Sequence, residues 1–216
     1  MCSSDLTVGW AAVDFEEWAD PAARPDFSKA IETIRSLGVK MAATSLPDFP
    51  YGPAISTIIS SEGSAAFEPL ILSGKVDQLA DQRQIAGLKA GLEITAKDYL
   101  KAMRIRRLIQ EGFRSVFANV DLLLTPARLS PAPPLSPPLD RPLTGDRRMP
   151  EDRGLTNLIP AGNLAGLPAI SLPCGFADGL PIGISLVGPP FSENLLLQIG
   201  KAFQSKTDWH QRRPPV

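Results

Sequence analysis

The sequence predicts an α/β domain in which a mixed β-sheet is covered by helices on both faces. Three observations lead there. Between Leu6 and Ala43 an apolar run, a helical pattern and a second apolar run follow one another, the order of a strand–helix–strand unit with parallel strands. A long amphipathic helix then feeds a short apolar run, Asp121 to Pro126, which proline stops. Near the end, Ala169–Leu172 and Ile182–Val187 read as two strands of a hairpin. A parallel unit and a hairpin in one chain give a mixed sheet.

Size and charge narrow the function classes. The chain has 216 residues, 44% hydrophobic and 21% charged, enough for one sizeable core. A formal net charge of −1 argues against general nucleic-acid binding, which needs a basic surface. No apolar run approaches the length of a membrane span, and the N-terminus lacks the basic-then-apolar pattern of a secretory signal. Cys2 and Cys174 are too few and too far apart for a disulfide framework, so a reducing, cytoplasmic setting is expected. Two cysteines and the single His210 do not make a zinc site, and no metal or cofactor is expected. The chain carries neither a phosphate loop nor a nucleophile elbow, and His210 reads as a solvated tail residue rather than part of a triad.

Taken in order, Met1 to Asp5 reads as foreign to the segment beginning at Leu6. Leu6 to Val13 is apolar enough for a buried strand, and Asp14 to Pro25 reads as a loop. Asp26 or Ser28 can cap a helix in which Phe27, Ile31, Ile34 and Leu37 share a face, ended by Gly38. Val39 to Ala43 is the next strand, with Lys40 on its exposed side. Pro53 to Leu72 reads as a largely buried helix carrying Ile55, Ile58, Ile59, Ala65, Ala66 and Phe67, bent or ended by Pro69. Gly74 to Gln84 is a polar connection. Thr95-Ala96-Lys97-Asp98 fits a capping box and opens a long helix. Ile105, Ile109, Phe113, Val116, Phe117 and Val120 form its apolar face, while Lys101, Arg104, Arg107 and Glu111 point elsewhere. Pro131 to Pro142 is proline-dense and reads as extended polyproline II; Asp140 to Arg153 is charged and irregular, so residues 127–153 are expected to form a mobile loop.

The most ordered punctuation lies between Asn157 and Phe203. Asn163-Leu164-Ala165-Gly166 sets small residues beside a polar one, and Leu167-Pro168 breaks any helix. Ala169 to Leu172 is a strand ending at Pro173, and Cys174 to Gly179 reads as a long connection. Ile182, Ile184 and Leu186 alternate with Gly183, Ser185 and Val187 in the second strand. After Pro189-Pro190, Ser192 is placed to cap a helix with Glu193 in its first turn and Leu195, Leu196, Ile199, Ala202 and Phe203 as its apolar stripe.

This order resembles the C-terminal end of the amidase signature family. The matching positions are Asn163, Gly166, Pro168, Pro173 and Gly175, then Gly179, Leu180, Pro181 and Gly183, then Glu193. Leu46-Pro47, the helix with Tyr99, Leu100, Lys101, Ala102 and Arg106, and Asp121-Leu122-Leu123-Leu124-Thr125-Pro126 also resemble family elements, with Ala127 in place of a threonine. The resemblance covers nearly all of residues 6–213 and about the C-terminal half of the family domain. It implies the C-terminal part of an αβα fold and hydrolysis of carboxamide C–N bonds through a serine acyl-enzyme, a hydroxyl being too weak a nucleophile without a base. The lysine, the two serines and the Gly/Ser-rich oxyanion turn of the family lie in its N-terminal half, so no catalytic residue is assigned here.

What the resemblance does assign is a pocket lining: Thr125, Pro126, Asn157, Ile159 and Asn163 for a small-molecule amide substrate. Asn163 leads, its amide expected to be hydrogen-bonded among apolar neighbours. The expected partner is the missing N-terminal half; a homodimer is compatible with the sequence, and neither nucleic acid nor membrane is expected. Ser60-Ser61-Glu62-Gly63-Ser64-Ala65-Ala66 imitates the family's S-S-G-G-S-A turn, but Glu62 would oppose an oxyanion, and the serines read as helix interior. Cys174 reads as buried and inert. Two other readings stand beside the amidase. One is an A subunit of an acyl-tRNA amidotransferase, weakened because Thr156 stands where that subgroup carries an aspartate. The other is a silent interaction module using the PxxP segments between Pro131 and Pro137. Alone, these residues are expected to leave sheet edges and an apolar face uncovered, hence to be poorly soluble or loosely packed.

Overall fold

A computed structural model describes residues 5–133 and 154–212. The proline-dense segments from Pro134 on, the charged stretch to Arg153 and the first four residues lie outside the described residues. A five-stranded sheet organises the rest, in the order β2-β1-β3-β5-β4. Its strands are β1 (Thr7–Trp10), β2 (Lys40–Ala43), β3 (Leu122–Pro126), β4 (Ala169–Ala177) and β5 (Leu180–Val187). β1 runs parallel to both β2 and β3, while β5 is antiparallel to β3 and β4. The sheet is therefore mixed, as the sequence leads one to expect.

Strand alternation divides the core in two. Val8, Leu122, Leu124, Ile184 and Leu186 pack with α1 (Arg24–Arg35) and α7 (Glu193–Ser205) through Phe27, Ile31, Ile34, Leu196, Ile199 and Phe203. Leu123 and Val187, on the other face, pack with α2 (Tyr51–Ala66), α5 (Ala96–Val116) and α6 (Leu158–Ala165) through Ile58, Ile109, Phe113, Leu158 and Ala161. A small third cluster of Ile71, Val76 and Ile85 joins α3 (Glu68–Leu72) to α4 (Gln82–Gly91). Helices thus cover both faces. The expected capping box forms by half: Thr95 Oγ1 accepts from the Asp98 N–H at 3.2 Å, but the Asp98 carboxylate accepts from the Thr95 hydroxyl at 2.6 Å instead of from the Thr95 backbone N–H.

Several local expectations are corrected. β1 ends at Trp10, and the segment read as a loop contains a π-helical turn, Asp14–Trp18, with Asp14 and Phe15 buried. α1 begins at Arg24 with Pro25 in its first turn, capped by neither Asp26 nor Ser28; the Asp26 carboxylate is engaged by the Phe176 N–H at 3.0 Å and Lys29 at 2.8 Å. The long helix after β2 breaks at Phe67, and Ile59, Phe67 and Leu72 are 60%, 52% and 73% exposed rather than buried. α6 is not legible in the sequence, because it is short, begins with Pro160 in its first turn and is apolar nearly all round. Pro173 does not stop β4: it pairs with Gly183 beside a bulge in an edge strand, where a missing N–H is tolerated. The hairpin connection is tight, with Asp178 and Gly179 both at positive φ, the geometry of a two-residue turn. Ser192 stands at the α7 N-cap, but its hydroxyl donates to the Pro189 carbonyl at 2.6 Å.

Candidate functional site

The pocket residues expected from the sequence lie on β3 and on α6. Thr125 and Pro126 end β3, one strand over from the end of β1, with Trp10 opposite Leu124. Both are buried. By alternation Thr125 shares the face of Leu123, on which α6 packs, and Pro126 shares the opposite one. Open α/β sheets bind ligands outside the carboxyl ends of their parallel strands, which is the end where Thr125 sits.

α6 carries the others. Asn157 occupies its N-cap position, half-buried, with its carbonyl accepting from the Ala161 N–H at 3.0 Å. Leu158, Ala161, Leu164 and Ala165 are buried against the core. Ile159 and Asn163 are one helical turn apart on the outer side, both exposed, Ile159 by 59%. The sequence predicts a hydrogen-bonded Asn163 amide among apolar neighbours; the residue is instead exposed. The helix closes at Gly166, whose N–H donates to the Gly162 carbonyl at 2.8 Å. Three side chains from elsewhere hold this helix. Arg106 Nε donates to the Leu164 carbonyl at 2.8 Å, and Gln110 Nε2 to the Ala165 carbonyl at 3.4 Å. At the other end the fully buried Asp14 accepts the Leu155 N–H at 2.8 Å.

Two further groups near Thr125 escaped the sequence. In register, Thr125 lies opposite Ser185, and Ser185 opposite Ser171. The two serine hydroxyls are 2.8 Å apart, so three hydroxyl residues stand abreast across β3, β5 and β4. A polar residue in an alternating strand reads as its solvent side, and only the strand order reveals the row.

The remaining reactive-looking residues are accounted for structurally. Ser61 donates to the Thr57 carbonyl and Ser64 to the Leu88 carbonyl, both serines lying inside α2. Burial, with the Asp26 charge as a second cause, pushes the Cys174 thiol up to about 12. Burial, followed by Asp48, pushes the Tyr51 phenol up to about 12, and its hydroxyl donates to the Pro47 carbonyl. Asp26 sits below the ordinary carboxyl range: burial works to raise it, and the Lys29 hydrogen bond, the Phe176 N–H and the Lys29 and Arg212 charges overcome that. Among the described residues no group of three His, Cys, Asp or Glu side chains could hold a metal ion, and no helix is long and apolar enough to cross a membrane.

Comparison with known proteins gives a consistent picture. The family model described as Amidase matches residues 2–197. The glutamyl-tRNA(Gln) amidotransferase A subunit of Picosynechococcus sp. is 36% identical, over 98% of this chain and 47% of its own length. The protein of the same name from Methanosarcina acetivorans is 31% identical over 97% of this chain and 47% of its own length. Among solved structures, a bacterial aryl acylamidase of the amidase signature family superposes with a TM-score of 0.77 at 19% identity, covering 99% of this chain and 47% of that one. The A subunit of the Thermotoga maritima glutamyl-tRNA(Gln) amidotransferase gives 0.62 at 22% identity, over 95% of this chain and 43% of that one. The chain spans about half the length of the curated relatives it matches.

Proposed function

The chain belongs to the amidase family, and from that premise we propose that it is the C-terminal portion of an amidase-type hydrolase that cleaves carboxamide C–N bonds. The observation that carries this is the family match over residues 2–197 by a chain that spans about half of its relatives. In this reading a serine acyl-enzyme forms on residues of the other half of the domain. That half is the first partner of this chain, and the chain alone does not turn over amide. A cytoplasmic setting belongs to the same reading.

This portion contributes the wall of the substrate pocket. Thr125 supplies a hydroxyl at the end of a parallel strand, Asn157 and Asn163 supply amides able to donate and accept, and Ile159 supplies apolar surface for the acyl group. The shared outer side of Ile159 and Asn163 supports that division of labour. The test is release of carboxylate from a panel of small carboxamides by the complete gene product, by this chain and by the two portions co-expressed. Turnover by the complete product and by the reunited portions, but not by this chain, is the expected result. A complete product inactive on every amide would remove the hydrolase reading.

A second reading has an observation in its favour: relatives at 31–36% identity over nearly the whole chain are glutamyl-tRNA(Gln) amidotransferase A subunits. Thr156, where an aspartate marks the amidotransferase subgroup, favours the stand-alone amidase. Amidation of glutamyl-tRNA in place of free-amide hydrolysis would reverse the order of the two.

A further inference from the structure

We propose that Asp14 is a positioning residue for the candidate site: it sets the start of α6, and through it the side of the helix that presents Ile159 and Asn163. The role in catalysis rests on the amidase reading; the geometry does not. Asp14 follows β1, which is paired on both sides, and opens a π-helical turn, a local irregularity that recurs at functional sites. It is 0% exposed. Its Oδ2 accepts the Leu155 N–H at 2.8 Å from 141 residues away. Gly154, at φ +50°, presses its backbone onto the same carboxylate: a Cβ there would overlap Asp14 Oδ1 and come within 2.9 Å of Val13 Cγ1. Leu155 is itself fully buried, and its carbonyl accepts the Leu158 N–H at 2.8 Å. The carboxylate is thus one backbone hydrogen bond away from the first turn of α6.

A carboxylate taken wholly out of water is held by directed bonds, and directed bonds fix a position where apolar contact alone tolerates sliding and rotation. With Arg106 and Gln110 holding the last carbonyls of the helix, both ends of α6 are tied by separate elements. Its rotation about its own axis is therefore set, and so is the direction of residues 159 and 163.

The experiment compares Asp14→Asn, which keeps an oxygen acceptor for the Leu155 N–H, with Asp14→Leu, which removes it. Gly154→Ala serves as a second variant that displaces the clasp while leaving Asp14 in place. Amide hydrogen exchange on the complete gene product reads the geometry. Asp14→Leu and Gly154→Ala should lose about tenfold or more protection at Leu155 and across α6 with α1 and β5 unchanged, while Asp14→Asn stays within about threefold of the parent. In the complete amidase the same two variants should raise KM more than they lower kcat, with Asp14→Asn restoring KM. Unchanged protection at 155–165, or a uniform loss across the sheet in Gly154→Ala, would overturn the proposal. If Asp14→Leu does not fold, Asp14→Asn and Gly154→Ala decide it. An inactive parent enzyme would sink the amidase reading while leaving the exchange result to judge the clasp.

Discussion

Replacing Arg106 by methionine tests whether α6 is held from outside or merely packed. Arg106 Nε donates to the Leu164 carbonyl at 2.8 Å from a half-buried position. That carbonyl belongs to the last turn of α6, where no helical N–H is left to satisfy it. A hydrogen bond from a charged donor contributes about 1.5–3 kcal/mol, and a cation at a helix C-terminus adds about 0.3–1 kcal/mol. Water can partly replace both at a half-exposed position, so Arg106→Met should cost about 2 kcal/mol, the lower part of that range. For a chain of this length that lowers Tm by about 4–8 °C. Gln110→Ala is the internal comparison. Its 3.4 Å contact is long and its donor neutral, so the loss should stay below about 1 kcal/mol. Arg106→Lys keeps the charge but not the fork and should fall between parent and methionine. Urea unfolding with a common m-value measures all three. An Arg106→Met variant within about 0.5 kcal/mol of the parent, or a Gln110→Ala variant that costs more, would show that packing alone fixes the helix.

Other outcomes rest on burial and backbone geometry elsewhere in the fold. Because burial raises the Cys174 thiol to about 12, the folded protein should leave it unmodified by a thiol reagent at pH 8. A raised acid favours folding while both states are protonated. Stability from Cys174 is therefore complete below the ordinary thiol range and lost as pH climbs toward 12. Cys174→Ala should flatten that alkaline slope, leaving the share of Tyr51, whose phenol is also held at about 12. Asp26 has the opposite sign. Its lowered carboxyl stabilises above the ordinary carboxyl range and loses that contribution as acid protonates it, so Asp26→Asn should shallow the fall of the urea midpoint below about pH 4. Phe191 is 94% exposed at φ +67°, a left-handed conformation that costs a side chain about 1–2 kcal/mol. Phe191→Gly should raise Tm by about 1–4 °C after the added chain entropy is subtracted; a fall would mean that the ring is buried against another surface.

The readable parts of the fold are those with a local cause. The parallel unit around α1, the Thr95 N-cap, the apolar faces of α5 and α7 and the buried strand Leu122–Pro126 each follow from spacing or a cap within a few residues. Where two local rules compete, the sequence misleads. Pro173 argues for a strand end, and only the sheet order reveals β4 as an edge that accommodates it. Leu158 to Ala165 offers no polar stripe, so helical periodicity has nothing to register, although Pro160 and Gly166 mark its first turn and its close. Glu62 correctly argues against an oxyanion turn in α2, since a residue's charge needs no tertiary context.

The candidate site is harder to read for a specific reason. Its candidate lining residues emerge from family punctuation, but what fixes α6 is a set of polar contacts between distant segments: Asp14 with Leu155, and Arg106 with Leu164. Asp26 with Phe176, across 150 residues, is of the same kind on the opposite face. An acidic residue near a helix start has a ready local explanation, as a cap or a partner of the helix dipole, and in sequence that explanation absorbs Asp26. Asp14, in an apparent loop, attracts none. Burial separates the cases, because a carboxylate that is 0% exposed must be bonded. The bonded partner then identifies which segment the fold needs to keep still. By that criterion the segment is Gly154–Leu155 and the helix it starts. Under the amidase reading, substitutions at Ile159 and Asn163, on the outer face of that helix, should change amide selectivity without changing stability.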